Sequence, residues 1–374
     1  MKKSHKKQLL NIAFVVLLAG LTFLMLFLSS DELNMESLTS FFADCNLWLI
    51  AAAVGCMLLY IVMEAASLHI ILYRFGHRPR LSASLAYSAS DVYYSAITPS
   101  ATGGQPASAF YMIRDGVSGG TACFALVFNL LAYTASLLTI GTVVLALNFP
   151  LFLSFSIWVK LFIIAGFVAQ LSLLFLFIAC IRHPGAVLRL GNFLITVLVR
   201  IRIIRKEEKW RGKLDRMVKK YRGCYECFQH QRGLFWQVFL CNVLQRASLI
   251  FVSALVCFSA TDCSLWDMFV MQTFAMIGYN SIPLPGGSGA YEFLYINIYE
   301  KAFGSDFILI AMMVTRVISY YLSMLLSGLY TALYHVLAPN RRKEAASPAD
   351  TQAPAAVAQE VTSTETEGDS NEKA

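Results

Sequence analysis

Charged residues are scarce in this chain of 374 residues. Asp, Glu, Lys and Arg together supply 14% of it, whereas apolar residues supply 57%. Soluble globular domains carry about 25% charged residues, because their surfaces face water. The composition therefore excludes a purely soluble protein and indicates one whose surroundings are mostly lipid.

The residue patterns of metal sites, hydrolases and nucleic-acid-binding folds are also lacking. Five of the six histidines lie in loops or near the ends of apolar segments, without an obvious nucleophile partner. Cys224 and Cys227 form a CxxC pair with His230 nearby, but no second pair follows at zinc-site spacing. No basic segment interleaved with aromatic residues indicates a nucleic-acid-binding fold. We expect no metal, no cofactor and no nucleic-acid partner.

Six apolar runs reach the length of about 20 residues that a helix needs to cross a bilayer. Each is predicted to be helical, because hydrocarbon offers backbone amides no other partner. The first run follows four lysines and leads into acidic residues without a small-residue cleavage site, so we interpret it as a retained helix rather than a signal peptide. The predicted spans are residues 9–28, 47–72, 122–147, 157–181, 234–258 and 307–337.

Basic residues cluster in segments that one topology places on the same side of the membrane. These segments are residues 2–7, 74–80, 182–232 and 341–343, and the loops on the other side are acidic. Lys and Arg accumulate in cytoplasmic loops of membrane proteins. The charges therefore predict a multi-pass protein of the cell membrane with both termini in the cytoplasm.

Two segments are predicted to lie outside the spans. Residues 183–233 form a basic cytoplasmic loop with amphipathic helices, whose cations would face anionic inner-leaflet lipids; a solvated connecting helix is an equally good interpretation. Residues 341–374 are rich in Ala, Pro, Ser, Thr and Glu and have no aromatic residue, so we expect a disordered tail. The membrane domain is thus predicted to cover residues 1–340.

Two Gly- and Pro-rich segments interrupt the apolar pattern. They are residues 93–111, YYSAITPSATGGQPASAFY, and residues 279–293, YNSIPLPGGSGAYEF. A continuous helix cannot pass through such clusters of Pro and Gly. The charge topology requires the first segment to enter and leave from the cytoplasm and the second from the opposite face. We therefore predict an all-α polytopic fold with two opposed re-entrant hairpins, arranged as inverted repeats.

Broken helices at membrane depth persist where their backbone lines a cavity, so both segments are predicted to line a binding site. Consecutive Gly N–H groups and the positive ends of half-helices would suit a lipid phosphate. The candidate substrate-binding residues are Thr98, Gly103, Gly104, Gln105, Arg114, Asn280, Gly286, Gly287, Ser288, Tyr291, Glu292 and Arg316.

Three further ionisable residues lie within apolar surroundings. A lone charge there is costly, so Glu64, Asp91 and Arg246 are expected to face a partner or a polar cavity. They are interpreted either as part of the binding site or as structural ion pairs that hold the helices together.

The segments ITPSATGGQP (97–106) and PLPGGSGAYE (283–292) resemble the flippase-like membrane domain of the lysylphosphatidylglycerol synthase family. The resemblance covers most of the chain. It implies translocation of an aminoacyl-phospholipid to the outer leaflet, lower negative surface charge and resistance to cationic antimicrobial peptides. Full-length members add a cytosolic domain that transfers lysine from lysyl-tRNA. Here an acidic tail follows the last span instead, which argues against transferase activity.

Three functions are consistent with these sequence features. The first is a flippase or scramblase for a phospholipid or aminoacyl-phospholipid of the phosphatidylglycerol type. The second is a phosphatidylglycerol lysyltransferase, although residues 182–232 hold no catalytic constellation. The third is a scaffold without transport activity that recruits a separate synthase.

Overall fold

A computed structural model shows a bundle of helices. It describes residues 45–98, 101–183, 207–229, 231–261, 263–280, 289–300 and 305–338, with a few isolated positions before and between these ranges. Every regular element in these ranges is helical. The predicted span at 9–28 and the predicted tail at 341–374 lie outside the described residues.

The helices that position the site are numbered here in chain order. They are α1 Leu47–Arg74, α2 Leu81–Ile97, α3 Gly104–Arg114, α4 Gly119–Leu147, α5 Phe149–Ser154, α6 Ile157–Arg182, α7 Glu207–Gln229, α8 Arg232–Phe258, α9 Leu265–Asn280, α10 Ala290–Tyr299, α11 Ser305–Arg316 and α12 Ser323–Leu337. A π-helical segment, Val317–Leu322, joins α11 to α12.

Five stretches of the described chain are long and apolar enough to cross a membrane. They lie in α1, α4, α6, α8 and the continuous stretch Phe307–Leu337 formed by α11, the π-helical segment and α12. These stretches confirm five of the six predicted spans. Side chains such as Val168 and Phe175 on α6 are apolar and exposed, as expected for a surface that faces lipid.

Polar residues define where the long helices begin. Asn46, Ser118 and Ser156 each accept a hydrogen bond from a backbone N–H in the first turn of α1, α4 and α6. These N–H groups have no partner within the helix, so a side-chain cap stabilises the start by about 1 kcal/mol.

The termini of the long helices lie at two opposite ends of the bundle. At the end that we call the basic end, Arg74 donates to the Gln237 side chain at 3.5 Å and Arg114 donates to the Ala338 carbonyl at 2.5 Å. At the opposite end, the Asn46 N–H donates to the Ser259 carbonyl at 2.8 Å. The long helices therefore run between these two ends.

Helices α2 and α3 form an antiparallel pair, hairpin 1, which turns at residues 98–103. Both of its outer ends lie at the basic end, where Tyr330 of α12 donates to the Ser82 carbonyl at 3.0 Å and Tyr334 donates to Asp115 at 2.6 Å. The two helices have 17 and 11 residues, or about 26 and 17 Å at 1.5 Å per residue. Each is shorter than the hydrocarbon core of a bilayer, which is about 30 Å.

Helices α9 and α10 form a second antiparallel pair, hairpin 2. The Tyr279 and Tyr291 rings pack 5.1 Å apart near its turn, and the Tyr299 hydroxyl donates to Gln272 at 3.3 Å further along. Its outer ends follow α8 and precede α11, at the end opposite the basic end. The helices have 16 and 10 residues, so neither is long enough to span a bilayer.

Helix α7 belongs to the predicted basic loop and packs closely on the start of α4. Tyr221 is fully buried, and its hydroxyl donates to the Cys180 carbonyl at 3.1 Å. A Cβ added at Gly120 would lie 2.7 Å from Lys220 Cβ and 2.9 Å from the Tyr221 backbone nitrogen. Gly120 therefore allows α7 to dock on α4.

Replacing Gly120 with alanine is expected to displace α7. Cys224 on this helix is buried, and burial raises the pKa of its thiol, which keeps it unreactive. In the Gly120→Ala variant, maleimide labelling of Cys224, measured by peptide mass spectrometry, should rise about tenfold. Gly119→Ala is the control, because its Cβ would be 3.8 Å from the nearest atom. Equal labelling in both variants would contradict this role of Gly120.

Candidate functional site

The turn of hairpin 1 is held by Thr98. Its hydroxyl donates to the Tyr94 carbonyl at 2.6 Å and accepts from the Gly103 N–H at 2.9 Å. Ala101 adopts a left-handed backbone conformation, with φ of 52°. The side chain of Thr98 and the N–H of Gly103, two predicted ligand groups, thus bind each other.

Gly104 brings the start of α3 directly against Asp91 on α2. A Cβ at this position would lie 2.7 Å from the Asp91 backbone oxygen and still closer to the Asp91 and Ser95 side chains. The next residue, Gln105, donates from Nε2 to Asp91 Oδ2 at 2.9 Å. The Gly-Gly pair therefore serves close packing, and this packing orients the Asp91 carboxylate.

The turn of hairpin 2 contains two glycines with positive φ. Gly287 has φ of 66° and Gly289 has φ of 83°, a conformation that residues with a Cβ rarely adopt. The N–H of Gly289 donates to Glu292 Oε2 at 2.5 Å, which orients that carboxylate at the start of α10. The other two candidates in this turn, Gly286 and Ser288, lie outside the described residues.

The three intramembrane ionisable residues lie together in the centre of the bundle. Glu64 is buried, accepts hydrogen bonds from Ser88 at 3.2 Å and Gln245 at 3.3 Å, and lies within hydrogen-bonding reach of Asp91. Arg246 is 2% exposed and close enough to attract both carboxylates. Residues predicted separately thus form one cluster, which we call the central cluster.

The guanidinium group of Arg246 packs against two aromatic rings. Its guanidinium carbon lies 4.0 Å from the centre of the Tyr133 ring and 5.1 Å from that of the Tyr60 ring. Its Nε and Nη2 atoms have no hydrogen-bond partner among the described residues. Buried polar groups without partners are costly, and a guanidinium has the geometry to bind a phosphate with two N–H groups. Arg246 therefore offers two free donors in a buried position.

The central cluster reaches hairpin 2 through Tyr133. The Tyr133 hydroxyl donates to Asn280 Oδ1 at 2.8 Å, at the end of α9. At the start of α10, Arg316 donates to Glu292 at 2.9 Å and lies 4.0 Å from the centre of the Tyr291 ring. Three candidate residues, Tyr291, Glu292 and Arg316, are thus in contact with one another.

The last span contacts both hairpins within one turn. Arg316 pairs with Glu292 of hairpin 2, and Tyr320 donates to the Ala96 carbonyl of hairpin 1 at 2.8 Å. The π-helical segment Val317–Leu322 lies at this place. Such segments are rare and occur frequently at functional sites. The last span therefore links the turns of the two hairpins.

Arg114 is the candidate that the structure places elsewhere. It is buried at the basic end, where it donates to the His335 carbonyl at 3.0 Å and the Ala338 carbonyl at 2.5 Å. These carbonyls at the end of α12 have no partner within the helix, so Arg114 stabilises that end. It is not part of the central cluster.

Sequence reasoning missed several residues that contact the central cluster. Tyr60, Tyr133 and Gln245 lie inside predicted spans, and none was selected as a candidate. The available signal was the adjacent polar pair of Gln245 and Arg246 within an otherwise apolar helix. Tyrosines in spans carry no comparable signal, because they also occur at lipid-facing positions.

These features define a polytopic α-helical membrane protein in which two short helix pairs meet at a buried polar cluster. Residues 8–327 match the family described as the lysylphosphatidylglycerol synthase TM region. The chain belongs to this family, and the resemblance predicted from the two Gly-rich motifs is confirmed. No curated protein matches the chain in sequence.

Proposed function

We propose that this protein moves a phospholipid or aminoacyl-phospholipid of the phosphatidylglycerol type between the leaflets of the cell membrane. The observation that carries the proposal is the buried Arg246, whose Nε and Nη2 have no hydrogen-bond partner among the described residues, and which lies between Asp91 of hairpin 1 and Tyr133, the partner of Asn280 in hairpin 2. Membership of the lysylphosphatidylglycerol synthase TM region family supports the same class of substrate.

The proposal includes an orientation in the membrane. Hairpins 1 and 2 are re-entrant, enter from opposite faces and are related as inverted repeats. The basic end, with Arg74, Arg78 and Arg80, faces the cytoplasm, and both termini lie there. Support comes from the shortness of the hairpin helices and from the excess of cations at one end.

The headgroup phosphate is the part of the lipid that needs a path through hydrocarbon. In our proposal it accepts hydrogen bonds from Nε and Nη2 of Arg246, while Glu64 and Asp91 on the neighbouring helices limit how tightly the anion is held. Near hairpin 2, Arg316 offers a second cation. The Glu292 carboxylate beside it would bind the amine of an aminoacyl group. Movement of the hairpins about the last span would open the cluster to one leaflet at a time.

Transport is tested by reconstituting the purified chain in liposomes that carry fluorescent phosphatidylglycerol. Dithionite quenches probes in the outer leaflet only, so inward-facing lipid is quenched only after it moves outward. We expect at least about tenfold faster movement than in protein-free liposomes, which corresponds to a barrier lowered by about 1.4 kcal/mol. Fluorescent phosphatidylcholine is the headgroup control. Movement of phosphatidylglycerol at the protein-free rate would overturn the proposal.

A further inference from the structure

A separate cavity opens at the basic end of the bundle. Its volume is about 460 Å³, within the range of small-molecule sites. Its walls come from the loop between α1 and α2, the outer ends of hairpin 1 and the last turns of α12. None of the residues of the central cluster lines it.

Basic residues form one wall of this cavity. Arg78 and Arg80 are exposed and His77 is half-buried, and all three belong to the loop between α1 and α2. The cavity also contains one carboxylate, Asp115, whose Oδ2 accepts hydrogen bonds from the Tyr87 hydroxyl at 2.9 Å and the Tyr334 hydroxyl at 2.6 Å. Two donors therefore already stabilise this negative charge. Arg78 lies 5.7 Å from the centre of the Tyr73 ring, a contact that leaves its N–H groups able to bind an anion.

The other wall of the cavity is apolar and continues onto the outer surface of the bundle. Leu333 and Leu337 line the cavity and are 50% and 77% exposed, and Leu81 beside Arg80 is 76% exposed. In a membrane protein such leucines face acyl chains. The occupant thus meets cations on one side and hydrocarbon on the other, which is the chemistry of an anionic lipid at the membrane surface.

We propose that this cavity binds the phosphate headgroup of an anionic phospholipid, with the acyl chains running along Leu333 and Leu337. It is a second lipid site, distinct from the central cluster. Binding here is an equilibrium property that does not require transport, so the two proposals fail independently.

The test is native mass spectrometry of the full chain in detergent, titrated with phosphatidylglycerol or phosphatidylcholine. Leu333→Trp fills the cavity without changing charge, and Leu329→Trp places the same ring one turn away on an exposed position that does not line it. We expect Leu333→Trp to weaken the tightest phosphatidylglycerol binding by about tenfold or more, and Leu329→Trp to leave it unchanged. Equal binding in the two variants would overturn the proposal.

The contribution of the two cavity arginines is tested by a matched pair of double variants. Arg78→Ala with Arg80→Ala should weaken binding of phosphatidylglycerol, because both residues line the cavity and the double variant loses their positive charges. Arg74→Ala with Arg182→Ala removes the same charge from the basic end without touching the cavity, and should leave binding unchanged. Similar losses of phosphatidylglycerol binding in both double variants would show that the lipid is attracted only by the overall positive charge of the basic end. That result would overturn the proposed site.

A competition experiment tests whether the cavity binds a phospholipid or a soluble phosphate ester. If the acyl chains contribute, soluble glycerol phosphate should not displace bound phosphatidylglycerol, and phosphatidylcholine should bind more weakly because it has no net negative charge. Displacement by glycerol phosphate would assign the cavity to a soluble phosphate ester instead. Equal binding of both lipids would overturn recognition of the anionic headgroup.

Discussion

Replacing Gly104 with alanine is expected to abolish lipid movement and to destabilise the protein. The added Cβ would lie 2.7 Å from the Asp91 backbone oxygen, and backbone within a helix cannot move aside as a flexible side chain can. Overpacking of a tight interface costs about 1–3 kcal/mol or more. In size-exclusion chromatography after heating in detergent, the variant should lose its monodisperse peak at a lower temperature than the original chain. In liposomes that contain the variant, dithionite should quench the fluorescent lipid at the rate seen without protein.

The matched control is Gly55→Ala in α1. No atom lies within 4 Å of the position that its Cβ would occupy, and alanine is the better helix former by about 1 kcal/mol. This variant should transport like the original chain and unfold at the same or a slightly higher temperature. If Gly104→Ala also behaved like the original chain, the close approach of α3 to Asp91 would have no functional importance.

Replacing Arg246 with lysine is expected to lower the rate of lipid movement at least tenfold while the protein still folds. Lysine keeps the positive charge near Glu64 and Asp91. It lacks the planar group that packs 4.0 Å from the centre of the Tyr133 ring, and it cannot present the same paired donors to a phosphate. Transport is measured in liposomes, and folding by size-exclusion chromatography after heating.

Two further variants separate charge from shape at this position. Arg246→Met removes the buried positive charge that attracts Glu64 and Asp91, and a buried carboxylate without a nearby cation is costly. It should fold poorly, unlike Arg246→Lys. Arg182→Lys, on an exposed arginine at the basic end, should leave both readouts unchanged. A full rate in Arg246→Lys would show that the site needs only a positive charge.

The spans and the location of the two breaks follow from local composition. Five predicted spans agree with the described helices to within a few residues, since an apolar run of sufficient length has one stable conformation in hydrocarbon. The breaks at 98–103 and after Asn280 follow from Pro and Gly, which cannot continue a helix. The sequence likewise identified Glu64, Asp91 and Arg246 as unusual, because each is a charge in an apolar segment.

The sequence by itself determined the class of protein, the family, the spans and the positions of the breaks, because these depend on residues close together in the chain. Only the tertiary structure decided which side chains meet. Gln245 contacts Glu64 across 181 residues, and Arg114 contacts the end of the last span across 224. Such contacts depend on how helices are rotated and packed against each other. That packing placed Arg246 between two tyrosines and Arg114 outside the central cluster.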